Sequence, residues 1–259
     1  MDFTNKISIA SYSFHKTLEE KMIDIYGYLE SLRYRYHLNA ADIWNGYIKD
    51  MDIEDFKKIR RAMDERGLFL ANLCCDWCHP WEDDKDLLAQ NNAFAEKMLV
   101  CAEILGARTV RIDLGVRTRE ITDEQFDYVA GRFQMYAKRA GDCGFKIGPE
   151  NHWGASRRLS VLKKLFDAVN SPHFGILLHA GNWDLDGGET ADENDRIAAS
   201  MAFHTHISYQ LSMRAEEVLP NIYEGGYRGV WGVEHHLEIN EYQGVAAQLG
   251  RIMYALSKM

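Results

Sequence analysis

Eight times along the chain, a short β-rich apolar run gives way to a longer stretch of helical periodicity, and this alternation constrains the fold more than any other feature. The strand runs are Lys6 to Ala10, Ala40 to Trp44, Leu68 to Leu73, Thr109 to Asp113, Phe145 to Glu150, Phe174 to His179, Phe203 to Ile207 and Gly229 to Glu234. Each is followed by a polar or glycine-bearing loop. Between them, Asp52-Ile-Glu-Asp begins an amphipathic run that stops at Gly67, and Thr122-Asp-Glu-Gln opens another ending near Gly141. Repeated βα units specify a parallel sheet. A chain of 259 residues, 46% of them hydrophobic, has the length and core of one complete α/β barrel. An open doubly wound sheet would show the same alternation, but its Gly-x-Gly-x-x-Gly fingerprint does not follow the first strand. With four prolines and no Ser/Gly-rich linker, the expectation is a single (β/α)8 TIM barrel forming one domain over residues 1–259.

Charge removes several classes of partner. Thirty Lys and Arg stand against 39 Asp and Glu, a formal charge of −9, so no basic field exists to gather nucleic acid or anionic lipid. The opening MDFTNKISIASYSF lacks the pattern of a signal peptide, and no run of eighteen apolar residues occurs. A soluble cytoplasmic protein without membrane contact is expected. Five cysteines in such a chain read as reduced thiols, with Cys101 and Cys143 expected in the core.

The last four strand runs end in residues that can bind a metal: Glu150, His179, His206 and Glu234, spaced 29, 27 and 28 residues apart. One βα unit takes about 30 residues. Near-equal spacing therefore puts the four side chains at one height on successive strands, converging at the carboxyl end, where barrel enzymes keep their chemistry. Any one of them alone would be read as a polar residue bonded to a loop. Four at matched spacing read as a site, and two carboxylates with two imidazoles suit a divalent ion such as Mn²⁺, Co²⁺ or Zn²⁺.

SYSFH after the first strand, TVRID on the fourth, ENH on the fifth, HTH on the seventh and GVE on the eighth follow one another along the chain. In their order and spacing the sequence resembles, over its whole length, the xylose-isomerase-like barrel superfamily, in the branch of sugar phosphate isomerases/epimerases. The resemblance implies a divalent metal ion, with Mn²⁺ favoured over Co²⁺, Zn²⁺ or Mg²⁺, held by Glu150, His179, His206 and Glu234. It also implies a sugar isomerase or epimerase that abstracts a proton beside a carbonyl, with Glu150 and Glu234 as the acid/base pair and the metal stabilising the enediolate. The chain departs from the family at strand six, where Asp with a His three residues later is replaced by His179 and Asn182. Two readings of that departure stand: a second imidazole suited to a borderline metal, or a site of three ligands. Two other functions share the motifs. One is a lyase cleaving C- or O-linked 3-keto-glycosides from the same metal site; the other is a non-catalytic barrel subunit. The superfamily's DNA repair endonucleases, with three zinc ions, are disfavoured by the acidic charge.

His152, two residues beyond Glu150, is a candidate third base or sugar contact, balanced against a supporting role behind the metal. His15, Trp44, Asn45, Asp76, Trp77, Arg111 and Asn182 are the candidate substrate contacts, each Trp serving equally well as wall packing. Arg111 and Asp113 are not both given a substrate role, and Arg111 could instead pair with Glu150 inside the barrel. Cys75-x-x-Cys78-His79 matches a c-type haem string but lacks an export signal. A zinc site on Cys74, Cys75, Cys78 and His79 lacks a second Cys/His pair downstream. No phosphate cradle is visible, since Gly225-Gly226 precedes strand eight, so the expected partner is a small unphosphorylated sugar or keto-glycoside. A homo-oligomer is compatible with the sequence, though no heptad marks its interface.

Overall fold

The computed structural model describes residues 2–237 and 240–259. Its strands are β1 (Ile7–Ala10), β2 (Ala40–Trp44), β3 (Phe69–Cys75), β4 (Thr109–Ile112), β5 (Lys146–Gly148), β6 (Ile176–His179), β7 (Ala202–Ser208) and β8 (Trp231–Glu234). They form one eight-stranded sheet in the order β5-β4-β3-β2-β1-β8-β7-β6, every ladder parallel. Isolated parallel bridges at Ile147–Phe174 and Glu150–Leu177 join β5 to β6 and bring the ring close to closure. The principal outer helices are α1 (Ile25–Glu30, continued by a π turn over Ser31–Arg35), α2 (Ile53–Glu65), α3 (Lys85–Leu105), α4 (Asp123–Cys143), α5 (Leu159–Val169), α6 (Ala191–Ala198), α7 (Ala215–Glu224) and α8 (Glu241–Leu256). The result is a (β/α)8 TIM barrel. No helix among the described residues is long and apolar enough to cross a membrane.

The cap signals act as expected at α2, where Asp52 and Asp55 form a reciprocal capping box and Gly67 turns the chain at φ +64°. At α4 the Thr122–Gln125 box forms too, but the helix runs through Gly141 to Cys143 and stops at Gly144, φ +82°. The left-handed turn, which only the second glycine supplies, sets the end. Cys143 is consequently exposed at the helix terminus, not in the core, whereas Cys101 is buried.

β5 is shorter than its apolar run because Pro149 has no N–H for the ladder. The Pro149 carbonyl still accepts from Leu177 N at 2.9 Å, so Glu150 is held at the rim without belonging to a strand. Gly148 permits that close approach: a Cβ there would stand 1.7 Å from the Gly175 carbonyl oxygen. β3, by contrast, extends two residues past Leu73, to Cys75.

The space between sheet and helices is apolar, but the barrel axis is not. Ser8, Asp42, Asn72, Thr109 and His204 are all buried within it. Asn72 Nδ2 donates to Asp42 Oδ1 at 3.0 Å, and Thr109 Oγ1 donates to Asn72 Oδ1 at 2.9 Å. A polar axis survives burial only because its members satisfy one another.

Candidate active site

The four residues at matched spacing converge at the carboxyl end of the barrel. Glu150, His179, His206 and Glu234 each offer a ligand atom, and all of these atoms lie within 4.8 Å of one another. His179 Nδ1 stands 3.0 Å from Glu150 Oε1 and 3.4 Å from Glu234 Oε2. His206 Nδ1 stands 3.3 Å from Glu150 Oε1 and 3.2 Å from Glu234 Oε1. Neither contact of His206 Nδ1 has hydrogen-bond geometry, which leaves a fully buried ring nitrogen without a hydrogen bond, and Glu234 Oε2, though 2.9 Å from His236 Nε2, also lacks one of good geometry.

Two carboxylates and a ring nitrogen facing one point need a cation between them. Without a metal that cation is a proton: burial pushes the His206 pKa down, but the Glu234 and Asp42 carboxylates hold it well above the ordinary imidazole value. Burial likewise raises both glutamates, yet the neighbouring imidazoles (His152, His179 and His206 around Glu150; His206, His236 and His179 around Glu234) keep them well below the usual carboxylate range. The donor set and the orphaned buried atoms therefore fit a divalent ion replacing that proton.

A cavity of about 190 Å³ opens above this group, lined by Ala10, Tyr12, Trp44, Cys74, Asp76, Arg111, His152, His206, Glu234 and His236. Arg111 is a buried member of this lining. Its Nη1 donates to Asp76 Oδ1 at 2.7 Å and Asp113 Oδ2 at 2.9 Å, while Nε lies 3.1 Å from Glu150 Oε2. Arg111 thus pairs with Glu150 as the sequence allowed. Asp113, two residues beyond Arg111 and so on the same face, follows the last residue of β4 and meets the same guanidinium. His152 Nδ1 lies 3.0 Å from the same Asp113 Oδ2. Burial lowers the His152 pKa, but Asp113 and Glu150 outweigh it and raise it to about 9.

The remaining candidates divide between wall and bracket. Trp44 Nε1 donates to Asp76 Oδ2 at 2.7 Å, and both residues line the cavity. Asn45 exchanges bonds with the Asp76 backbone, at 2.8 and 3.1 Å, and is fully buried away from the cavity. Trp77 lies outside the lining at the rim, 42% exposed. His15 also stands behind the wall, its ring stacked on Tyr12 at 4.6 Å and its Nδ1 2.9 Å from the Tyr12 carbonyl oxygen. Asn182 Nδ2 donates to the carbonyls of Asn151 (2.7 Å) and His152 (2.9 Å), so it clamps the loop after β5. The Cys74, Cys75, Cys78 and His79 cluster is not among the metal-competent groups of the described residues, and His79 pairs with Glu82 at 2.8 Å.

Three residues at this site escaped the sequence reading. Asp42 faces the barrel axis, with Oδ2 2.8 Å from His204 Nε2 and 3.1 Å from His206 Nε2. An acidic residue inside the apolar run AADIW was the available signal. His204 shares strand parity with His206, which the HTH motif carried in plain view. His236, the second His of GVEHH, lies with Nε2 2.9 Å from Glu234 Oε2 at the cavity wall.

The family model of xylose isomerase-like TIM barrels matches residues 35–253. Among solved structures, the chain is similar to the 3-keto-D-glucoside 4-epimerase YcjR of E. coli, at 11% identity and a TM-score of 0.75 over 96% of this chain and 99% of that one. It is similar to a D-psicose 3-epimerase of Clostridium cellulolyticum H10, solved with D-tagatose, at 14% identity and a TM-score of 0.76 over 97% and 99%. It is also similar to AsbF of Bacillus anthracis, a probable 3-DHS dehydratase involved in petrobactin synthesis, at 11% identity and a TM-score of 0.72 over 96% and 98%. No curated protein matches.

Proposed function

Because the chain belongs to the xylose isomerase-like TIM barrel family, we propose that it is a divalent-metal-dependent isomerase or epimerase of an unphosphorylated ketose or keto-sugar. The observation that carries this reading is the His206 ring nitrogen caught between Glu150 and Glu234 with no hydrogen-bond partner. Glu150, His179, His206 and Glu234 would hold the ion. It would supply Lewis acidity to a carbonyl and its neighbouring hydroxyl, which lowers the cost of removing the proton between them.

The chain's own groups suit the rest of the chemistry. Enolisation and its reversal need a base on one carbon and an acid on the same or a neighbouring one, and Glu150 and Glu234 face each other across the site. The neighbouring imidazoles hold both below the usual carboxylate range, so both are ionised at neutral pH. Arg111 restrains Glu150 while Asp76 and Asp113 take up its remaining charge, so this guanidinium is not free to receive a phosphate. Tyr12 and Trp44 give the cavity aromatic faces against which a pyranose or open-chain sugar can pack. The activities of the neighbouring structures, two sugar epimerases and a probable dehydratase, are consistent with proton abstraction beside a carbonyl.

The test is elemental analysis of the purified protein, followed by incubation of the metal-loaded protein in D₂O with a panel of free ketoses and 3-keto-glycosides, read by NMR. Near-stoichiometric metal together with deuterium entering a carbon beside a carbonyl is the expected result. An epimer or isomer as product supports the proposal, and a released aglycone would replace it with the lyase reading. A protein that takes up no Mn²⁺, Co²⁺, Zn²⁺ or Mg²⁺ would overturn it.

A further inference from the structure

We infer that Asp42 is the positioning residue of the metal site: by accepting the Nε2–H of His206 it fixes the tautomer that turns the Nδ1 lone pair toward Glu150 and Glu234. The inference rests on the reading that those residues hold a divalent ion, and it extends the site one layer down the barrel axis.

An imidazole presents one N–H and one lone pair, and which nitrogen carries which is set by the better acceptor nearby. For His206 the two choices differ sharply. Nε2 faces Asp42 Oδ2 at 3.1 Å, whereas Nδ1 faces the two glutamates without hydrogen-bond geometry. A proton resident on Nε2 leaves Nδ1 free for a metal, and a carboxylate behind a ligating histidine also raises the basicity of that ligand.

Asp42 is held in place from several sides. It is fully buried, with Asn72 Nδ2 donating to Oδ1 at 3.0 Å and His204 Nε2 2.8 Å from Oδ2. Both of its oxygens are thus met by polar partners that hold the carboxyl group in one orientation. Its aim is also fixed by the backbone. The β2–β3 register shifts between Ala41 and Asp42, and such an irregularity redirects the side chain that follows it. Buried Tyr28 clamps the spot: its hydroxyl accepts from Asp42 N at 2.9 Å and donates to the Ile9 carbonyl at 2.6 Å. Asp42 and His206 lie 164 residues apart in sequence, so only barrel closure brings bracket and ligand together.

One rival must be met by the test. Asp42, His204 and His206 themselves place three ligand atoms within 4.8 Å, so Asp42 could be a ligand of a second ion. The first measurement is nitrogen NMR of the wild-type protein labelled with ¹⁵N-histidine and loaded with Zn²⁺. His206 should show a protonated Nε2 and a metal-bound Nδ1. Protonation at Nδ1, or an Nε2 without a proton, would overturn the inference without any variant having to fold. The second is metal binding by calorimetry. Asp42→Asn should weaken Zn²⁺ and Mn²⁺ binding by about 10- to 100-fold, whereas His204→Gln, which spares the His206 bond, should change it by less than about 3-fold. Equal affinity in wild type and Asp42→Asn would sink the positioning role. A second equivalent of metal, lost in Asp42→Asn, would make Asp42 a ligand instead. If wild type binds no metal at all, it is the parent reading that has failed.

Discussion

The two halves of the barrel contribute differently to the site. β5 to β8 deliver the groups that face the reacting space: Glu150, His179, His206 and Glu234, one from each βα unit. β1 to β4 deliver the groups that hold them. Asp42 sits behind His206, Arg111 beside Glu150, and Asp113 behind His152. The second half is a row of donors and the first a row of brackets. A closed barrel permits this division because strands distant in sequence face one another across the axis, so orientation can be specified from the opposite wall.

The largest effect should come from the donor half. Glu150→Gln and Glu234→Gln are each expected to lower turnover by about 10³-fold or more, since each removes a base and a metal ligand at once. The thermal midpoint of the metal-free protein should change little. Near-normal turnover in either variant would break the assignment of the working groups to β5–β8. Next in size is metal retention. His179→Ala should weaken metal binding by at least about 10-fold, whereas His152→Ala, on a residue held by the bracket Asp113, should not. Equal metal content in wild type and His179→Ala would reduce the site to three ligands, the alternative left open by the sequence.

The asymmetry also explains what could be read from the sequence. The donors announce themselves through spacing, because a repeat of near 30 residues projects the strand ends onto one plane, and Glu150 to Glu234 needed no knowledge of partners. The brackets carry no periodic signal. Asp42 looks like a misplaced charge in AADIW until His204 and His206 stand opposite it, 162 and 164 residues away. Asn45 and Asn182 show the converse: their positions at strand ends were legible, but whether an amide meets substrate or a neighbouring carbonyl depends on loop geometry, and both are bonded to backbone. Strand interiors were found and their ends were not. Pro149 shortens β5, and Gly144 rather than Gly141 ends α4, because single-residue backbone constraints override the hydrophobic pattern there.

Not every bracket lies in the first half, and one supplied by α6 gives a smaller, pH-dependent effect. Asp195 accepts from Gly181 N at 3.0 Å and from Trp183 Nε1 at 2.7 Å, fixing the loop that follows His179. Burial raises its pKa from 3.8 to about 6. An acid raised in the folded state favours folding when protonated, so this contribution is present at low pH and is lost as pH rises through about 6. The stability of wild type relative to Asp195→Asn should therefore improve by roughly 1 kcal/mol between pH 7.5 and pH 5, measured by urea unfolding of the metal-free proteins. A difference independent of pH would mean that Asp195 is not held in the buried, desolvated state.

The smallest expected effect tests the rim of the bracket half. Trp77 adopts a left-handed backbone, φ +58°, with its ring 6.1 Å from Trp44 and Lys49 Nζ 5.2 Å above its face. For a bulky residue that conformation costs about 1 kcal/mol, which Asn tolerates better. Against that gain, Trp77→Asn loses an exposed cation–π contact of about 0.5–1 kcal/mol. The two nearly cancel, so the variant should keep the wild-type thermal midpoint to within about 2 °C. If the ring is a platform for sugar, KM should nevertheless rise several-fold with kcat preserved, because the loss is of binding shared by substrate and transition state. A fall in the midpoint of many degrees with KM unchanged would assign Trp77 to wall packing, and would confine substrate contact in the first half to the cavity lined by Tyr12, Trp44 and Asp76.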